Sequence, residues 1–187
     1  MVYRRLLMTD LAQYHPLLVH APLMLLPTAI LLRVLHLIWP KAGFRLTAIV
    51  LLVAGIGLGI LSEESGEAAE HVAEARSANV EDIQATGTIP EMFGEGSLLE
   101  THASLAETTV IVFMLLLISE AMLLFLSQPL FARWRGSFSL PSGLHKPLEI
   151  GWVVVGVAAI ALVVLTGHYG GKLVYEHGIG VSLSAMQ

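Results

Sequence analysis

The sequence predicts an all-α integral membrane protein, a four-helix bundle with an acidic extramembrane loop between helices two and three. Three observations carry this reading. Hydrophobic residues fill 55% of the 187 positions and charged residues only 13%, about half the charged share of an ordinary soluble domain; mean hydropathy is +0.74. Four apolar runs, 17–39, 44–61, 108–126 and 148–166, each approach the roughly 20 residues a helix needs to cross a bilayer core of about 30 Å. Between the second and third runs, residues 62–107 hold eleven of the fifteen acidic residues and one basic residue, Arg76. The runs must be helical because lipid offers no partner to backbone N–H and C=O groups. The whole of 1–187 is one transmembrane domain.

Composition also excludes chemistry. Cysteine is absent, which removes disulfides, thiolate metal sites, iron–sulfur clusters and covalently attached haem. The net charge of −5 comes from one loop rather than the whole surface, and no basic, nucleic-acid-binding pattern is present. At the N-terminus Arg4 and Arg5 precede an apolar stretch that Asp10, Gln13 and His15 interrupt, so it is expected to be retained as an interfacial segment.

Helix one begins with His15-Pro16-Leu17-Leu18-Val19-His20-Ala21-Pro22. Pro22 falls near its first turn, whereas Pro27 removes an internal hydrogen bond and is expected to kink it. The turn Pro40-Lys41-Ala42-Gly43 is too short for anything but an antiparallel neighbour. Helix two ends in Gly55-Ile56-Gly57-Leu58-Gly59, where Gly55 and Gly59 make a small-residue face for another backbone or a flat ligand. In the acidic loop, 67–78 reads as a separate short surface helix; Glu67, Glu70, His71 and Glu74 lie at spacings of three and four on it and read as a solvated face. Ser97-Leu98-Leu99-Glu100 has the spacing of a capping box, so helix three is expected to start near Ser97 with His102 in its opening turns. Helix four follows a loop bearing Arg133, Arg135 and Lys146 and contains Gly151 and Gly156.

Lysine and arginine in the short loops set orientation. Lys41, Arg45, Arg133, Arg135 and Lys146 outnumber Arg4, Arg5, Arg76 and Lys172, so both termini and the acidic loop are expected outside a bacterial inner membrane. Six of eight histidines, His15, His20, His71, His102, His168 and His177, then belong to the outer side, with His36 and His145 inside. Neutral imidazoles from different helices at one level are what axial ligation of non-covalent haem b requires. One or two haems are expected from His15, His20, His102, His168 and His177, with His20 and His102 as the first pair. Copper or zinc held by His15, His20, His102 and His177 is the alternative, and a cofactor-free accessory subunit is the third. In the opposite half, Arg33 and Glu120 sit at similar depth. An intramembrane carboxylate is costly unless paired, so they are expected to form an ion pair; His102 and Glu120, five turns apart on one helix face, leave a proton path as the other reading. No nucleophile motif marks a hydrolase.

The chain resembles a widespread family of small bacterial predicted membrane proteins known as a domain of unknown function. The matching residues are His15-Pro16-Leu17-Leu18-Val19-His20 with Pro22, Ser65-Gly66-Glu67-Ala68-Ala69-Glu70, His102, and Gly170-Gly171-Lys172-Leu173-Val174-Tyr175-Glu176-His177-Gly178. One departure is Ala21, where the family has an aromatic residue before the proline. The resemblance implies four transmembrane helices. Relatives joined to or found beside cytochrome-like domains imply redox work. The outer histidine cluster itself carries the expectation of a quinol or cytochrome c partner, with the chain a homo-oligomer or a subunit of a redox complex. The histidines the resemblance matches are His15, His20, His102 and His177.

Overall fold

The computed structural model describes residues 12–77, 96–127, 132–136, 140–141 and 143–176. Its elements are α1 (His20–Ile38), α2 (Ala42–Ser77), α3 (Leu98–Ser127), the short α4 (Ala132–Arg135) and α5 (His145–Tyr175). No strand occurs among the described residues. Residues 12–18 are also helical and lead into α1, and the four long helices contain spans of 27 to 31 residues that are long and apolar enough to cross a membrane. Their outward faces carry Leu31, Leu46, Val53, Ile118, Val154 and Val164 exposed. In a soluble protein such a girdle would be a liability; in lipid it is the solvated surface.

Local chemistry explains the boundaries. Val19 keeps a helical backbone and both of its ladder bonds, donating to His15 O at 3.1 Å and accepting from Leu23 N–H at 3.4 Å, while Pro22 has no N–H to offer Leu18 O. At Pro27, where a kink was expected, the helix assignment runs on without a break. After Ile38 the chain turns at once, Trp39 N–H closing on Leu35 O and His36 Nδ1 on Lys41 O at 3.0 Å. Ser97 caps α3 as its spacing predicts, with Glu100 N–H donating to Ser97 Oγ at 3.1 Å. The Glu100 carboxylate, however, accepts from Gly96 N–H rather than from the cap residue. Gly96, at φ +78°, takes the left-handed conformation that glycine adopts without a Cβ penalty.

Two boundaries differ from expectation. The second apolar run does not stop at residue 61; α2 continues unbroken to Ser77, so the surface helix expected at 67–78 is its own extension. Alanine and glutamate, both good helix formers, fill that extension. Likewise the fourth apolar run does not stop at residue 166; α5 runs on through Gly170 and Gly171 to Tyr175. Residues 78–95 of the acidic segment lie outside the described residues.

The core joins all four long helices: Leu26, Ala29 and Ile30 of α1, Leu52 and Ile56 of α2, Phe113 and Leu116 of α3, and Trp152, Ala159 and Val163 of α5. Close approach depends on glycine. A Cβ on Gly55 would lie 2.7 Å from Leu26 Cδ2, and one on Gly156 would lie 2.8 Å from Ile30 Cδ1. Gly59 faces Val110 and Pro22. The glycine face of α2 is therefore filled by side chains of α1 and α3, not held open for a flat ligand.

At one end of the bundle lies a charge cluster. Arg33 and Glu120 are both fully buried and meet at 3.1 Å, Nη2 to Oε2. That contact is coulombic only, since Arg33 Nε, Nη1 and Nη2 and Glu120 Oε2 lack an in-line hydrogen bond. Arg45 supplies the aligned bond, donating from Nε to Glu120 Oε1 at 2.6 Å, and reaches Glu149 Oε1 with Nη1 at 3.3 Å. The Arg33 guanidinium also stands 5.1 Å from the centre of the Trp152 ring, whose Nε1 donates to Leu116 O at 2.9 Å. The ion pair read from the sequence is thus one edge of a four-residue cluster.

Removing one member of a buried ion pair leaves a charge with no solvent to turn to. Glu120→Leu is expected to destabilise the bundle by roughly 3–5 kcal/mol, read as a lower unfolding midpoint in detergent. Glu149→Gln is expected to cost less, because its side chain is 24% exposed.

Candidate functional site

The opposite end of the bundle carries the histidines. His15, on the helical lead into α1, is half-buried and turns toward α2, where its Nδ1 lies 2.9 Å from both Ser62 O and Ser65 Oγ. A carbonyl oxygen can only accept, so Nδ1 carries the hydrogen. Ser65 Oγ itself donates to Ser62 O at 2.7 Å, which leaves that hydroxyl oxygen free to share the imidazole hydrogen. His102, in the first turns of α3, does the equivalent on α5: Nδ1 donates to Thr166 O at 3.0 Å. Thr109 Oγ1 and Thr166 Oγ1 meet at 3.1 Å one step deeper.

Each ring also lies against a glycine one turn beyond its acceptor. A Cβ on Gly66 would come within 3.1 Å of His15 Cε1, and a Cβ on Gly170 within 2.8 Å of His102 Cε1. Both rings thereby occupy space that any other residue would take. With Nδ1 committed to a backbone carbonyl, the neutral imidazole keeps its lone pair on Nε2. Metal-ligating histidines are ordinarily oriented in this way, by donating the other ring nitrogen to a carbonyl or carboxylate.

The remaining histidines are placed differently. His20 is exposed, its Nδ1 turned to Pro16 O of its own helix; it is His15, not His20, that shares the bundle interior with His102. His168 is exposed and packs edge-on against the adjacent Tyr169, with centroids 5.6 Å apart. His177 lies outside the described residues. On the α2 extension Glu67 and His71 are exposed. Among the described residues no group of three or more His, Asp or Glu side chains stands together as a metal site. Between His102 and Glu120 the buried face of α3 presents Thr109, whose hydroxyl meets that of Thr166, then Phe113 and Leu116.

Beside His102 an open depression lies between α3 and α5, lined by Glu100, Thr101, Ser104, Leu105, Leu165 and Tyr169. Sequence reasoning found both interior histidines but not the partners that hold them. The signal was present, since Ser62 and Gly66, like Thr166 and Gly170, are four residues apart and so share one helix face.

A family model described as predicted membrane protein (DUF2231) matches residues 12–183, nearly the whole chain. No curated protein and no solved structure matches it.

The glycine contacts give a direct check. Gly170→Ala is expected to displace the His102 ring from Thr166 O, because the added methyl would sit 2.8 Å from Cε1; Gly66→Ala is expected to disturb His15 less, at 3.1 Å. Ring-nitrogen NMR of each variant against the parent reads both displacements.

Proposed function

The chain belongs to the predicted membrane protein family (DUF2231), and we propose that it acts within the bilayer as a b-type cytochrome, with His15 and His102 as the axial ligands of a non-covalent haem. The observation that supports this reading is the matched pair of interior imidazoles, each with Nδ1 held by a backbone carbonyl and Nε2 left as the ligating atom. Their chemistry fits the group: haem iron asks the protein for two axial ligands, whereas zinc takes three or four. Haem would supply reversible one-electron transfer at this level of the membrane. Around it, the chain's own residues fix the two rings, Ser62 and Thr166 through their carbonyls and Gly66 and Gly170 by the room they leave.

The excess of lysine and arginine in the short loops favours the histidine end outside a bacterial inner membrane. Electrons would then come from or go to a partner on that side. The depression beside His102 combines polar Glu100, Thr101, Ser104 and Tyr169 with apolar Leu105 and Leu165, the mixture a quinol headgroup on an isoprenoid tail would meet. A copper- or zinc-binding protein using the same histidines is the second reading, and elemental analysis separates the two.

Protein purified in detergent after expression with a haem precursor is expected to show a Soret band and, on reduction, a sharp α band. His102→Ala is expected to remove the low-spin spectrum, while His168→Ala leaves it intact. A colourless preparation that stays colourless after haem is added overturns the cytochrome reading.

A further inference from the structure

The two ends of the bundle share a pattern that neither end reveals alone. On the first helix of each helical hairpin, His15 and His102 open the segment, and eighteen residues later stand Arg33 and Glu120, the fully buried charges. On the second helix of each, Arg45 corresponds to Glu149, Ser62 to Thr166 and Gly66 to Gly170, all at one spacing of 104 positions. At that spacing Val50, Val53, Ala54, Ile56, Leu58 and Leu61 are identical to Val154, Val157, Ala158, Ile160, Leu162 and Leu165.

Apolar helices draw on a small alphabet, so identities of this kind carry limited weight by themselves. The contacts carry more. In each half the leading histidine donates to the carbonyl of a hydroxyl residue and lies on the glycine four positions later. In each half the buried charges gather at the far end. Packing follows the same exchange: α1 lies on α2 and α5, while α3 lies on α5 and α2, so swapping the halves maps each interface onto another. The longer linkage in the second half is confined to the connection that holds α4.

Charge sign is where the halves differ. Arg33 and Arg45 belong to the first and Glu120 and Glu149 to the second, and each of the three ion contacts crosses from one half to the other. A hairpin paired with its own kind would bury charges of one sign, at a cost that lipid cannot screen. The cluster therefore specifies the pairing of unlike halves within one chain.

We propose that the chain is a fused duplication of one helical hairpin, and that its pseudo-twofold axis runs between His15 and His102, making them equivalent ligands of a single shared cofactor. Only the identity of that cofactor rests on the cytochrome reading. Equivalence follows from the repeated docking geometry, and the single site follows from there being one such pair among the described residues, with His20 and His168 turned outward.

Two measurements on the full chain in lipid nanodiscs test this. Isotope-labelled histidine NMR at mildly alkaline pH, where imidazoles are neutral, is expected to show both rings as the Nδ1–H tautomer, with His15→Ala and His102→Ala each deleting one such signal. Either ring carrying its hydrogen on Nε2 overturns the equivalence, whether or not any cofactor binds. In haem-loaded protein, His15→Ala and His102→Ala are each expected to convert a six-coordinate low-spin spectrum to a five-coordinate one to the same extent, at one haem per chain. If haem binds but one of these variants keeps the parental spectrum, the shared site and the His15–His102 axial pair are both overturned, and what survives of the cytochrome reading is haem binding through other ligands. If no haem binds to the parent, the cytochrome reading falls and the tautomer measurement alone decides the equivalence.

Discussion

Three buried charged side chains and a fourth at their partly exposed edge decide how this bundle is put together. Arg33 and Glu120 have no exposure, Arg45 almost none, and their contacts draw on all four long helices once Glu149 is included. Charges in such a place are tolerated only when partnered. Coulomb attraction at low dielectric acts over the whole group, so it fixes the relative depth of the helices in a way that interchangeable Val and Leu contacts do not. Trp152 closes the cluster, covering Arg33 with its ring while satisfying its own N–H on Leu116 O. Glycine completes the arrangement above it, since Leu26 and Ile30 reach the backbones of α2 and α5 only because Gly55 and Gly156 have no side chain.

The histidine end is built on the opposite economy, with hydrogen bonds in place of charge. Each interior imidazole spends one ring nitrogen on a backbone carbonyl and keeps the other. A helix carbonyl can take the extra bond because it has a second lone pair. His15 and His102 thus come to the same end of the bundle oriented by different helices, which is how a ligand site is preorganised on rigid elements rather than on loops. The charge cluster and the imidazole pair are separated by the apolar centre, about five helical turns along α1 and α3, or roughly 27 Å. The two ends can be altered independently.

The duplication connects these observations. If a single hairpin once paired with a copy of itself, both helices would have met their equivalents across an axis, and isologous contacts would have been symmetric. Fusion frees the halves to diverge, and the divergence is greatest where symmetry is most costly, at charges facing like charges. It is least at the histidines, where two identical imidazoles would suit the single centre proposed above. That is a physical reason for imidazoles to stay alike while arginine and glutamate separate between the halves.

Much of this was legible in the residues themselves. Four spans, the cap at Ser97, the pairing of Arg33 with Glu120, and a histidine-rich end all follow from hydropathy, spacing and the cost of a charge in lipid, each a property of local sequence. Helix ends were less legible: Glu-rich and glycine-containing segments after residues 61 and 166 read as departures from lipid, yet α2 and α5 simply continue, because leaving the bilayer does not end a helix. What only the tertiary structure decided is which side chains face each other. A proline motif with two histidines five residues apart does not say which one turns inward; helix phase does, sending His15 to Ser62 and Gly66 and His20 to the outside. Nor could spacing enlist Arg45 and Glu149 beside the expected pair, since depth is written along a helix whereas azimuth is fixed only when helices pack.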